Sequence, residues 1–515
     1  MHPNTAPPDQ GTLPPQTGFF GQPAGLRTLF FTELWERFSF YGLRAILVLF
    51  MTTSLAMGGL GWGVEKAGPI YGMYAACVYL SALPGGWMAD RLLGQRRAVF
   101  LGGVIIMLGH ICLAVPAHGT FFLGLFFIIV GTGLLKPNVS TMVGQLYAKD
   151  DVRRDGGFSI FYMGINLGAM IAPLVTSGLA QSDSFKATLA AWGISPTNSW
   201  HWGFGAAAVG MFFGLVWYVI DAKALGDAGR LPAVTGQDDA RAAKATFWKG
   251  VLLAIGVLVV LVGLNASGTL AITPDRIAGS FKYILPATVV AFFAWLFLSG
   301  SWTRDERNRL ITITVLFLAA AVFWSVFEQA ASTLTLFADR STRNVILGHT
   351  FTSGSWQAVN SGWIVLLSPV FAWIWVKLGT RNPSSPAKFA VGLLFASLSF
   401  VIMVPAASMA AGGNKVGWIW LMLSYLFATV GELCLSPVGL SAMTRLAPAR
   451  VASLMMGVWF LATSVGNFIA GNMAGLYESL SPAKVFALGA GYAMVFAIVL
   501  ALLVKPIKRM LERPA

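Results

Sequence analysis

Four stretches of the sequence set ionisable side chains among residues apolar enough for the hydrocarbon core of a bilayer. In FTELWERFSFYGLRAILVLF, Glu33, Glu36 and Arg37 stand at i, i+3 and i+4, and the same period runs on through Phe40, Tyr41 and Arg44. One helical face therefore carries the charge. Lys136 stands beside Pro137 in a second stretch, Glu328 in a third and Glu432 in a fourth. A charge at membrane depth is costly unless paired or hydrated, and such residues mark a pathway. Four carboxylates face three cations here, so with every cation paired one acid keeps no partner. Burial favours the neutral form of a carboxyl group. A group that is neutral when unpaired and ionised when paired carries a proton whose residence follows conformation. The other use of such pairs, stabilising the bundle, is a weak reason to keep seven of these residues, because buried ion pairs stabilise poorly beside apolar packing.

The elements that must position these groups are long and apolar. Of 515 residues 56% are hydrophobic and only 11% charged, more apolar surface than a water-soluble fold can hide. The apolar residues come in blocks long enough to cross a bilayer as helices. Such blocks lie near 27–55, 65–91, 97–116, 120–147, 155–180 and 200–221, then 245–265 and 279–299, then 307–338, 354–378, 385–407, 415–446, 450–475 and 482–511. The expectation is an all-α polytopic membrane protein of fourteen transmembrane helices, grouped six, two and six. Most Lys and Arg fall in alternate loops, among them Arg91, Arg96 and Arg97, Lys149, Arg153 and Arg154, Arg304, Arg307 and Arg309, and Lys505, Lys508, Arg509 and Arg513. By the positive-inside rule those loops and both termini are cytoplasmic, in a cell (inner) membrane. The formal charge of +14 thus reports topology, and no nucleic-acid partner is expected. Residues 1–26 read as a flexible cytoplasmic tail without the pattern of a cleaved signal. Cys77, Cys112 and Cys434 are isolated in apolar segments and read as small buried hydrophobes, so neither a disulfide framework nor a metal site is expected.

A weak internal repeat divides the chain. PGGWMADRLLGQR at 84–96 matches PVFAWIWVKLGTR at 369–381 in its Pro, Gly and Arg spacings, and Gly131 precedes Pro137 as Gly431 precedes Pro437. Two parallel six-helix repeats resemble the major facilitator fold, with solute bound between halves. The expected domains are 27–221 and 307–511, the two six-helix bundles, with a linker and two extra helices in 222–306. GGWMADRLLGQRR at 85–97 is similar to that superfamily's loop between helices two and three; Gly85 and Gly86 would permit close helix approach, and Asp90 and Arg91 would latch the cytoplasmic side by ion pairing. A plain positive-inside loop is the other reading.

Four motifs narrow the family. ELWERFSFYG at 33–42 resembles the ExxERFxYYG motif of proton-dependent oligopeptide transporters (the POT or PTR family), departing at Phe40. GTGLLKPNVSTMVGQLY at 131–147, FSIFYMGINLGAM at 158–170 and GELCLSPVGLSAMTRLAP at 431–448 are similar to further signatures, and the extra helix pair is similar to bacterial members. The resemblance implies proton-coupled symport of di- and tripeptides into the cell by alternating access. It implies that Arg37 and Lys136 face the peptide carboxylate, and that Glu432, with Asn360 and Asn166, holds the amino terminus. Phe40, Tyr41, Tyr79, Trp324 and Trp459 match pocket aromatics. Glu33, Glu36, Arg37, Arg44 and Glu328 would couple the proton, with Arg44 and Glu328 as a pair that protonation of Glu328 releases. Mammalian members carry a His in the second helix where this chain has Gly72, so carboxylates are expected to carry the proton.

Other readings of the same residues stay open. With 18 Trp and 37 Phe, each aromatic also suits a place at an interface or against lipid. Asn166 and Asn360 also suit hydrogen-bonded glue between helices. Within the same fold the solute could be nitrate or an amino-acid derivative, although Lys136 with Glu432 suits a zwitterion. An enzyme is not expected, since HExxH, GxSxG and His/Cys clusters are missing from the sequence. No cofactor besides the proton is expected, and a monomer in the lipid bilayer is the default for the fold.

Overall fold

In the computed structural model, which describes residues 18–148, 151–230, 237–448 and 451–512, nearly every apolar block is an α-helix. In chain order these are α1 (Gly25–Thr52), α2 (Val64–Leu80), α3 (Ala82–Met88), α4 (Gln95–Ala114), α5 (His118–Gln145), α6 (Arg154–Gln181), α7 (Asp183–Ala191) and α8 (Ser199–Ile220). They continue with α9 (Gln237–Ala266), α10 (Pro274–Leu298), α11 (Arg304–Phe327), α12 (Thr333–Ser341), α13 (Ala358–Leu378), α14 (Ser385–Val401), α15 (Met403–Met409), α16 (Ile419–Leu446), α17 (Ala452–Gly475) and α18 (Pro482–Glu512). Among the described residues, eleven helical segments are long and apolar enough to cross a membrane, which makes this a multi-pass membrane protein. Of the other three expected crossings, α1 carries Glu33, Glu36, Arg37 and Arg44, α2 is short, and α17 is a 24-residue helix. The expected tail falls mostly in residues 1–17, outside the described residues, as does Lys149.

Local sequence sets several ends. Thr303 caps α11 with a reciprocal box, its hydroxyl accepting from the Glu306 amide at 3.2 Å while the Glu306 carboxylate accepts from the Thr303 amide at 3.0 Å. Thr273 caps α10, with Pro274 in the first turn, where its missing N–H costs nothing.

Three expected helices are broken. The block expected over 385–407 stops at Val401, because Pro405 supplies no N–H to the Val401 carbonyl four residues back. The block over 65–91 divides at Ser81, after which a π turn over Ala89–Leu93 leads to Gly94 at φ 75. The block over 307–338 divides at a 3-10 turn, Glu328–Ala331, and here no proline is responsible: a buried acid sits at the break. Helix α7 and a two-residue hairpin, β1 (Val345–Ile346) with β2 (His349–Thr350), were not expected. Ser182, whose hydroxyl accepts from the Phe185 amide at 3.3 Å, is the missed start signal for α7.

Two compact units emerge. One comprises the described residues within Met1–Phe40, Ser81–Ala169 and Gly205–Gly263, the other those within Tyr41–Leu80, Met170–Phe204 and Leu264–Ala515. In the first, α4 packs along α5, and glycines allow it: a Cβ at Gly131 would stand 2.6 Å from the Gly102 carbonyl oxygen. In the second, α16 packs on α14, and a Cβ at Gly431 would stand 2.8 Å from the Gly392 carbonyl oxygen. The Gly-to-Pro spacing repeated in sequence therefore marks the same kind of close helix contact twice, with Pro137 and Pro437 each inside the same helix as its glycine. Helix α10 buries Ala278, Leu285 and Leu296 on one stripe, against α2 and α11.

Candidate functional site

In the first unit the charged face of α1 folds onto itself. Arg37 forks onto Glu36, with Nε 2.5 Å from Oε2 and Nη2 2.7 Å from Oε1, and its Nε is 3.2 Å from Glu33 Oε1. All three residues are buried, to between 1% and 3% exposure. Among the described residues the other carboxylate oxygen of Glu33 accepts no hydrogen bond. The Glu33–Arg37 contact follows from the i, i+4 spacing, which places both on one helix face, while Glu36 meets Arg37 as its chain neighbour. Phe40 completes it: its ring centre lies 5.0 Å from the Arg37 guanidinium and 5.8 Å from the Lys136 ammonium, so one ring serves two cations. Lys136 is carried on α5 beside Pro137, a residue that withholds a hydrogen bond from the preceding turn. Asn166 is buried, and its amide donates to the Tyr162 carbonyl on its own helix at 2.9 Å.

The stretch expected to act as a latch lies in the π turn Ala89–Leu93. Asp90 accepts from the Gln95 side chain at 3.3 Å, both Asp90 and Arg91 are exposed, and among the described residues they form no ion pair with each other.

In the second unit the expected pair is present. Arg44 Nη2 lies 2.9 Å from Glu328 Oε2, at 8% and 3% residue exposure. Glu328 ends α11, so the pair sits where the backbone leaves the helix. The Tyr41 ring centre is 5.6 Å from the Arg44 guanidinium, and Tyr79 lies within its electrostatic reach. Sequence reasoning missed two neighbours. Tyr71 is buried on α2 within reach of both charges, and Gln357 donates to the Arg44 carbonyl at 3.4 Å and to Thr335 at 3.1 Å. Neither gave a signal in the sequence, since both reach Arg44 from other elements of the chain.

Glu432 takes its hydrogen bond from a neutral group: the Asn360 amide donates to its Oε2 at 3.1 Å and to Thr429 at 2.9 Å. A half-buried acid held by an amide keeps acceptor capacity for an incoming cation. Trp324 and Trp459 meet edge to face at 6.3 Å, seated against Gly466 and Gly439. Among the described residues the buried indole N–H of Trp324 has no hydrogen-bond acceptor.

The family model described as PTR2, POT family, matches residues 96–488. The chain is 41% identical over 509 residues to a peptide transporter of Yersinia enterocolitica subsp. palearctica, covering 96% of each chain. It is 40% identical to a di-/tripeptide transporter of Lactococcus lactis subsp. cremoris, covering 96% of this chain and 97% of that one. A solved peptide transporter of the POT family, in complex with alafosfalin, is 42% identical with a TM-score of 0.85, over 97% of this chain and 98% of that one. The motifs of α1, α5, α6 and α16 and these likenesses agree along the chain, which belongs to the POT family of proton-dependent oligopeptide transporters, with their all-helical major facilitator fold.

Proposed function

We propose that this protein is a symporter that carries di- and tripeptides into the cell with protons by alternating access. The observation that carries the reading is the buried Arg44–Glu328 pair, set at a break in a membrane helix. An acid there is ionised while it holds Arg44 and can release it by taking a proton, so proton binding changes the free energy between two conformations. A pair made only for stability would not need a broken helix around it.

The substrate reading rests on charge types. A dipeptide is a zwitterion with variable side chains, so a tolerant site clamps the termini. Arg37 and Lys136 receive the carboxylate as charge-assisted donors, and Glu432, oriented by Asn360, receives the amino terminus. Phe40, Tyr41, Tyr79, Trp324 and Trp459 supply loosely fitting walls, with Asn166 as a further polar contact. Phe40 offers no hydroxyl, so the peptide backbone loses one hydrogen bond there. Glu33 and Glu36 set the charge state around Arg37. Asp90 and Arg91 act as gate elements that pair in another conformation. The six-helix bundles are 27–221 and 307–511, both termini are cytoplasmic, and the chain works as a monomer in the inner membrane with no cofactor besides the proton. It transports and does not hydrolyse its substrate.

Uptake of labelled dialanine into proteoliposomes under an inward proton gradient tests this. Gradient-dependent uptake, abolished by an uncoupler and competed by unlabelled di- and tripeptides, is expected. Absence of uptake from folded protein would redirect the assignment to another solute, such as nitrate or an amino-acid derivative.

A further inference from the structure

The start of α4 lies beside the end of α8 in the first unit, and between them lies a groove of about 440 Å³, lined by Arg96, Arg97, Phe100, Leu101, Tyr218, Val219, Ala222 and Leu225. Its two ends differ in chemistry. One is apolar, with Phe100, Leu101 and Val219 exposed on the flanks of membrane spans. The other carries two adjacent guanidinium groups.

Those two arginines are not equivalent. Arg96 is committed to the chain: its amide donates to the Gly229 carbonyl at 2.9 Å, its Nε to the Ala228 carbonyl at 2.6 Å, and its Nη2 to the Gly226 carbonyl. It thereby fixes the strap that follows α8, which Gln145 also holds by accepting from the Gly229 amide at 2.6 Å. Arg97 is exposed and has neither an ion pair nor a hydrogen bond among the described residues. The nearby acids are taken, Asp221 by Arg27 at 2.5 Å and Asp227 by Arg230 at 2.7 Å. The groove mouth is therefore cationic beyond what its own acids neutralise, at the boundary where lipid phosphates lie.

We propose that this groove is a binding site for an anionic phospholipid, with an acyl chain against Phe100, Leu101, Val219 and Ala222 and the headgroup phosphate on Arg97. A soluble anion would use Arg97 alone and gain nothing from the apolar floor, whereas a phospholipid matches both ends of the groove at once. A basic pocket between membrane helices on the side of the basic loops has the chemistry that recognises such headgroups. Bound there, the lipid ties α4 to α8 and to the strap, and so stiffens that end of the unit.

Native mass spectrometry of the full chain, titrated with phosphatidylglycerol or with phosphatidylcholine of the same acyl chains, tests the site. The unaltered protein should retain phosphatidylglycerol preferentially. Arg97→Gln should cut that retention about fivefold and bring the two lipids level, the effect expected of one surface cation. Lys505→Gln, which removes one exposed charge from another basic segment, should leave it unchanged. Ala222→Phe keeps every charge and fills the groove, so it should lower retention of both lipids. Equal retention of the two lipids by the unaltered protein, or equal losses in Arg97→Gln and Lys505→Gln, would reveal diffuse attraction and overturn the site. Undiminished binding by Ala222→Phe would overturn the acyl seat.

Discussion

Single charges decide coupling, and the structure separates them by the partners they hold. Glu328 has one cation, Arg44, at 2.9 Å, and both are nearly sealed from solvent. Glu328→Gln keeps the size and removes the charge, leaving Arg44 unneutralised. Removing one partner of a buried pair costs about 3–5 kcal/mol, so the balance between conformations should shift by about 100-fold or more. Gradient-driven uptake is expected to vanish while counterflow exchange persists; driven uptake at the unaltered rate would refute this role. Glu432 differs because its partner is the Asn360 amide, a neutral donor. Glu432→Gln should therefore act on binding: a lost charge-assisted hydrogen bond of about 1.5–3 kcal/mol raises the KM for dialanine tenfold or more, with a smaller change in maximal rate. A mainly lower maximal rate at constant KM would place Glu432 in coupling instead.

At the scale of elements, glycines determine which helices can approach. Helix α2 lies against α17 because Gly68 and Gly72 face Gly471 and Gly475; a Cβ at Gly72 would stand 2.9 Å from the Gly471 Cα and 3.1 Å from the Phe468 carbonyl oxygen. That contact explains physically why Gly72 suits this chain and a larger side chain does not, since backbone lies on the other side. Gly72→Ala is expected to cost about 1–3 kcal/mol, as overpacking does. Thermal unfolding followed by tryptophan fluorescence in detergent should show a lowered midpoint, whereas Gly178→Ala, where a Cβ meets nothing within 4 Å, should leave it unchanged. Equal midpoints for both variants would show that α2 and α17 are less closely packed than described. The breaks in helices follow a different logic. Pro405 explains one locally, while the turn at Glu328 has no local breaker and exists where an acid must meet a cation from α1.

For the whole molecule, the distribution of basic loops sets the expectation of which side faces the cytoplasm. With Cys77, Cys112 and Cys434 replaced, a membrane-impermeant thiol reagent added to intact cells should label Leu55→Cys, exposed after α1, and should not label Lys508→Cys near the end of α18. Labelling of the second position alone would invert the topology. The helical blocks, the charged face of α1 and the repeated Gly-to-Pro spacing could all be read from the sequence. Each depends on local periodicity or composition, which survive without knowledge of the fold. The pairing of Arg44 with Glu328 was expected from the family resemblance, and coordinates place the two residues together although they are far apart in the chain. What sequence could not determine is how neighbouring charges share partners. Asp90 and Arg91 are adjacent in the chain yet form no ion pair with each other among the described residues, whereas the adjacent Glu36 and Arg37 do, and Asp90 accepts from Gln95. Tyr71 and Gln357 join Arg44 through contacts between separate helices, and no spacing within one helix encodes such contacts. The sequence by itself determined which residues lie in the membrane, because solvation depends on composition; only the tertiary structure decided which of them meet, because that depends on how glycine-lined helices dock and where they break.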